Sequence, residues 1–275
     1  MQPPATALLI YPVTLVVGSL FSVLSPTAQG SRDHALYGTA GGPLTPATPV
    51  NYFARKDNVF NLYFVKVGWL WTTLAFAVVL LSLDAYRTPS SQRLRRMGQA
   101  TARYALATLV WYLTTQWCFG PAIIDRSFVV TGGRCEHMVP SVGGSGSNHD
   151  DDDPFGFHSL FTAAACKSAG GAWRGGHDVS GHVFMLVLTT SMLGFETVGA
   201  LGAGDEESGR RKWSVRFVSV VAALSWWMLL MTAIWFHTWF EKFNGLLIAL
   251  GTVYTIYILP RRVIPWRNVV GIPGL

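Results

Sequence analysis

Charge is scarce in this chain. Only 13% of its 275 residues are Asp, Glu, Lys or Arg, against about a quarter in a soluble domain. A water-soluble globular fold of this size is therefore excluded. Cysteine is scarce too. Cys118, Cys135 and Cys166 show neither a CxxC spacing nor a zinc-ligand pattern, so the thiols point to no redox motif or zinc module. There is no Asn-x-Ser/Thr sequon. No basic residue precedes the first apolar run, about Ala7 to Leu24, and that run is long for a signal core. It reads as a retained span rather than a cleaved leader. Acidic residues are outnumbered 15 to 21, giving a formal net charge of +6. The cations fall in short loops between apolar blocks, which argues against nucleic acid and for membrane orientation.

What is present is apolar and gathered into blocks. Half the residues are hydrophobic, and the mean hydropathy is +0.33. The pattern predicts an all-α integral membrane protein with about six transmembrane helices, near 7–24, 61–83, 102–119, 181–203, 215–236 and 243–259. The longest polar segment, 120–180, carries a Gly/Ser stretch and the acidic run Asp150 to Asp153, which reads as a solvated turn. Cys135 and Cys166 flank that run and are placed to form a disulfide if the segment faces an oxidising lumen. Twelve lysines and arginines lie in 84–103, 210–216 and the C-terminal region. All three regions fall on one side of a six-span arrangement. That side is cytosolic with both termini, and 120–180 is on the luminal side.

The segment Gly175 to Phe184 brings two histidines, an aspartate and a serine to the mouth of the fourth span. Two readings are open. Ser180 is only a helix cap and His182 an interfacial histidine; or Ser180 and Gly181 receive a phosphate at a helix start whose NH groups are free. Lys66 inside the second span has two readings as well: snorkelling to the interface, or a phosphate ligand pointing into the bundle beside Arg55, Asn58 and Asn61. The fourth and fifth spans are antiparallel neighbours of nearly equal length, each about 35 Å of helix. They return His182 and His237 to the same depth. Glu241 lies four residues beyond His237, one turn away if that stretch is helical. Two histidines, one held by a carboxylate, suit phosphoryl transfer, with one ring attacking phosphorus and the other protonating the leaving oxygen.

Three stretches, Asn58 to Trp69, Gly176 to Phe184 and Phe236 to Lys242, together resemble the fat storage-inducing transmembrane (FIT) family, fungal branch. The resemblance covers about the last four-fifths of the chain and makes 1–275 a single transmembrane domain. It implies a fatty acyl-CoA diphosphatase of the endoplasmic reticulum with a luminal site. Such an enzyme releases acyl phosphopantetheine and adenosine 3',5'-bisphosphate, and supports phospholipid metabolism and lipid-droplet budding. The family is related to lipid phosphate phosphatases, whose Ser-Gly-His and His-x-x-x-Asp elements resemble Ser180–His182 and His237–Glu241 and imply His182, His237 and Glu241 as catalytic; Ser180, Gly181, Lys66 and Asp178 are the candidate substrate-binding residues. No metal and no cofactor are implied. Two departures stand out: Glu241 replaces the phosphatases' aspartate, and Met231 stands where they carry an arginine. The phosphate-binding cations then come from elsewhere, with Lys66, Arg55 and Lys242 as candidates. Two competing classes are a scaffold that only binds di- or triacylglycerol, and a metal site using His177, Asp178, His182 and His237. The five-residue spacing of His177 and His182 ranks the metal site low.

Overall fold

The computed structural model describes residues 3–29, 51–87, 92–116, 123–130, 132, 134–137, 166, 171–174, 179–202 and 209–275. Two compact units divide the chain: Met1–Leu109 with His182–Leu275, and Val110–Gly181.

The first unit is a helical bundle. Helix α1, Ile10–Leu24, is preceded by a 3-10 turn, Ala5–Leu9. Helix α2 is Gly68–Ser82, α3 is Asp84–Arg87 and α4 is Arg93–Thr115; the last turns of α4 run into the second unit. After the second unit come α6, Gly181–Leu201, and α7, Gly209–Trp235. Helix α8, Trp239–Val253, continues through a π turn, Tyr254–Ile258, and a 3-10 turn, Leu259–Arg261, before α9, Ile264–Val270. Helix α6 is the core element, because it is apolar around its whole circumference; every residue from Val183 to Thr189 is buried.

Small residues set the closest contacts, as membrane helices require where dispersion rather than water drives association. A Cβ on Gly18 of α1 would lie 2.6 Å from Cβ of Ala233 on α7. A Cβ on Gly68 of α2 would lie 2.5 Å from Cε of Met185 on α6. One turn further along, the Thr72 and Thr189 hydroxyls share a 2.8 Å hydrogen bond. At the far end of α6, Glu196 is wholly buried. It receives a two-pronged guanidinium from Arg103, 2.6 and 2.7 Å, and hydroxyls from Tyr86, 3.0 Å, and Tyr257, 3.1 Å. Arg103 also donates to the Val270 carbonyl at 2.6 Å. Each charge thus has several partners, which is how a buried pair offsets its desolvation.

The second unit holds α5, Ile123–Val130, and an antiparallel pair, β1 Arg134–His137 and β2 Gly171–Arg174, in register Cys135 opposite Trp173. Cys135 and Cys166 form a disulfide with Cα atoms 5.7 Å apart. The strand pair corrects the all-α expectation in this segment: backbone groups outside helices still need partners, and a short ladder supplies them.

The six-span expectation is met only in part. Four helical stretches among the described residues are long and apolar enough to cross a membrane: Ala5–Leu24, Gly181–Leu201, Gly209–Trp235 and Trp239–Arg261. The expected second span is broken. Its first residues form a π turn, Asn61–Val65, and only Gly68–Ser82 is a regular helix. The expected third span begins nine residues early, at Arg93 rather than 102, so its opening turns carry arginines and only its later part is apolar.

Candidate functional site

The junction of α7 and α8 is built around His237. Its φ is +61°, the one positive value outside glycine among the described residues. That conformation costs an L-residue about 1–2 kcal/mol and persists only where surrounding contacts hold it. Three sets of contacts do so. Thr238 caps α8 in a capping box: its hydroxyl accepts from the Glu241 NH, and Glu241 Oε2 accepts from the Thr238 NH at 2.9 Å. The same Oε2 lies 3.1 Å from His237 Nδ1. The last carbonyls of α7, which no helical NH can reach, are taken by side chains. Lys242 Nζ donates to the Ala233 carbonyl at 2.6 Å and to Ser19 Oγ at 3.1 Å, and Ser22 Oγ donates to the Ile234 carbonyl. The expected His237–Glu241 contact therefore exists by another route. The two residues are not a turn apart on one helix; the chain reverses at His237, and Glu241 reaches back across the cap.

His182 opens α6, and its ring centroid lies 6.0 Å from that of His237, with the planes at 49°. The α2–α6 contacts at Gly68 and Thr72 fix what precedes α2 against this end of α6. In the π turn the Lys66 NH bonds the Asn61 carbonyl, five residues back, at 2.9 Å. Such an insertion rotates the following residues out of helical register. Lys66 is exposed. Asn58 and Asn61 are shapers of this loop. Asn58 Oδ1 caps the Asn61 NH at 2.8 Å and its amide donates to the Arg55 carbonyl at 2.6 Å, while Asn61 Nδ2 donates to the Lys56 carbonyl at 2.7 Å.

Of the three candidate cations, two are engaged elsewhere. Lys242 is buried in the α1–α7–α8 contact described above. Arg55 pairs with Asp57 at 3.1 Å, and its guanidinium holds the Asp57 carboxyl below the usual range. Sequence reasoning gave no role to Lys56, Ser19, Ser22 or Thr238. The Thr238-x-x-Glu241 spacing was a readable capping-box signal; the α1 serines had none, because their partners are more than two hundred residues away. Ser180 is buried. It and Gly181 end the second unit and precede His182 directly in the chain. Asp178 and His177 lie outside the described residues, so only His182 and His237 of the weighed metal set are described.

Fold and geometry define a multi-pass helical membrane protein in which two histidines and a carboxylate meet at the end of a bundle. A family model described as fat storage-inducing transmembrane protein matches residues 49–212 and 202–257. Among curated relatives, acyl-coenzyme A diphosphatase fit1 of Schizosaccharomyces pombe is 31% identical over 92% of this chain and 84% of that protein. Acyl-coenzyme A diphosphatase FITM2 of Mus musculus is 28% identical over 81% of this chain and 77% of its own length. Acyl-coenzyme A diphosphatase SCS3 of Saccharomyces cerevisiae is 26% identical over 69% and 63%. The chain belongs to the FIT family. No solved structure gives a significant match.

Proposed function

We propose that the protein is a fatty acyl-CoA diphosphatase of the endoplasmic-reticulum membrane. It hydrolyses the pyrophosphate of acyl-CoA to acyl phosphopantetheine and adenosine 3',5'-bisphosphate, in support of ER lipid balance, phospholipid metabolism and lipid-droplet budding. The observation that carries the chemistry is the His182–His237–Glu241 arrangement, with ring centroids 6.0 Å apart and Glu241 Oε2 3.1 Å from His237 Nδ1. The named activity of relatives at 31% and 28% identity carries the substrate.

Glu241 accepts the Nδ1–H of His237, which leaves the Nε2 lone pair as nucleophile. That nitrogen attacks one phosphorus of the pyrophosphate. A P–N bond forms, the bond from that phosphorus to the bridging oxygen breaks, and His182, protonated once the anionic substrate is bound, gives its proton to the departing phosphate. Water then attacks the phosphohistidine, His182 takes a proton from it, and His237 is released; one water is consumed per turnover. The luminal mouth of α6, with Ser180 and Gly181, receives a phosphate, and Lys66 with Lys56 supplies positive charge. Asp178 is assigned to the same substrate-binding set.

Six crossings, with α2 and α4 completing the set, put the arginine-rich loops and both termini in the cytosol and the histidines in the lumen. The Cys135–Cys166 disulfide supports an oxidising compartment for that face. Purified protein, given long-chain acyl-CoA in excess chelator, should release both products, resolved by mass spectrometry. His182→Ala and His237→Ala should each abolish release. Liberation of free CoA instead would make the enzyme a thioesterase, and no turnover would favour a lipid scaffold binding di- or triacylglycerol. With radiolabelled substrate, His182→Ala should trap label on His237; label on His182 in His237→Ala would exchange the roles.

A further inference from the structure

At the opposite end of the bundle from the histidines, the first turns of α4, helix α9 and the C-terminal segment line an open cavity of about 280 Å³. Its polar side chains are Gln92, Arg95, Arg96, Gln99, Arg267 and Asn268, with no Asp or Glu among them, and the C-terminal residue Leu275 completes the wall. We propose that this cavity is a second anion site, which takes a phosphomonoester carried by a lipid headgroup.

Several observations converge on a ligand. The Nε of Arg96 is buried with no hydrogen-bond partner among the described residues. A buried donor atom left unpaired is costly and signals a missing partner, here on a guanidinium whose side chain is half-exposed. Glu196 on α6 is already held by Arg103 and two tyrosines.

The walls are fixed in advance. Arg267 donates to the Pro260 carbonyl at 2.8 Å and the Arg261 carbonyl at 2.6 Å. Gln99 Nε2 donates to the Asn268 carbonyl at 3.2 Å, tying α4 to α9. Gly271 turns the chain at φ +67°, where a Cβ would collide with the Gln99 side chain. Guanidinium groups held by neighbours are suited to two-pronged recognition of phosphate oxygens.

Location selects the source. Pro273 of the same segment abuts Gly199, since a Cβ there would lie 2.6 Å from the Pro273 carbonyl oxygen. Gly199 is about 26 Å along α6 from His182, so the cavity is remote from the histidines. It lies on the arginine-rich side of the chain, beside exposed Leu94 and Val269. Exposed apolar side chains beside a basic cavity suit the bilayer boundary, where a headgroup arrives with its own membrane anchor. The volume is near the lower end of small-molecule sites, about 300 Å³ and upward; it suits a headgroup phosphate better than a whole nucleotide.

The test uses the full chain in phosphatidylcholine nanodiscs, alone or with phosphatidylinositol 4-phosphate or phosphatidylserine. Soluble inositol 1,4-bisphosphate is added separately to the plain discs. Binding is read by native mass spectrometry and thermal shift. The phosphoinositide should bind at least about tenfold more tightly than phosphatidylserine, and Arg95→Gln with Arg96→Gln should lose about tenfold or more, the worth of one or two charge-assisted hydrogen bonds. Melting and acyl-CoA turnover in plain discs report whether this variant folds. If it does not, Arg95→Lys with Arg96→Lys keeps the charge and should show a smaller loss. Equal affinity for soluble bisphosphate and lipid would support the phosphate site with a free phosphate as its occupant; preference for the lipid assigns the headgroup. Phosphoinositide binding no tighter than phosphatidylserine, or unchanged in a folded double variant, would overturn the proposal.

Discussion

Glu241 uses one oxygen for two purposes, and that makes its substitutions informative. Oε2 accepts from the Thr238 NH at 2.9 Å and lies 3.1 Å from His237 Nδ1. Glutamine can place its amide oxygen at the same point and keep both contacts. What it loses is charge. Charge-assisted hydrogen bonds contribute about 1.5–3 kcal/mol against about 0.5–1.5 for neutral ones. The Gln variant should thus lose roughly 1–1.5 kcal/mol at the imidazole, about tenfold in kcat, while the cap and the melting temperature hardly change. Alanine removes the cap as well, worth about 1 kcal/mol of stability, and frees the ring of His237. Its kcat should fall by roughly 10²–10⁴, the range for a group that takes part in acid–base catalysis. The assay is product release from acyl-CoA by mass spectrometry, paired with thermal melting in the same detergent. Equal destabilisation by Gln and Ala would show that one oxygen does not carry both bonds. An Ala variant with wild-type kcat would remove Glu241 from the chemistry.

His237→Gly should be more stable than His237→Ala by roughly 1 kcal/mol, because only glycine enters positive φ without strain. Both should be inactive, and equal melting temperatures would argue against a strained turn. Lys242→Met leaves the Ala233 carbonyl without its donor at the end of α7 and should cost about 1–3 kcal/mol. Melting should fall and kcat should drop more than KM rises; an unchanged melting temperature would deny the contact its role. Glu196→Ala should destabilise by about 3–5 kcal/mol by stranding the Arg103 charge, and Glu196→Met with Arg103→Met should recover much of that. Thermal melting of the three proteins checks this, and a stable single variant would contradict the buried network.

Pattern and position were legible because each rests on local chemistry. Membrane character followed from apolar runs, since a 30 Å hydrocarbon layer demands long apolar stretches whatever the tertiary arrangement. The helices Gly181–Leu201 and Gly209–Trp235 begin and end within a few residues of the expected limits or overrun them at the charged end. The return of His182 and His237 to one depth followed from two matched lengths and a short loop. Where the reading failed, a non-local partner decided the outcome. Lys66 sits after a π turn that sequence periodicity cannot show, and it ends exposed. Lys242 looked like a free cation, but Ser19 and the Ala233 carbonyl occupy it. The third span starts early, at Arg93, ahead of the apolar pattern, and the Arg103 inside it is held by Glu196, ninety-three positions away.

The sequence by itself determined the solvent this chain folds in, the order of its helices and the residue types that meet at the histidine end. These depend on hydrophobic length, charge distribution and motif spacing, all written along one dimension. Only the tertiary structure decided the φ of His237, the single oxygen that both caps α8 and meets the imidazole, and which lysines remain open to a ligand. Each depends on carbonyls and side chains brought together from distant helices, and the energy of a buried polar group is set by whichever partner the fold places beside it.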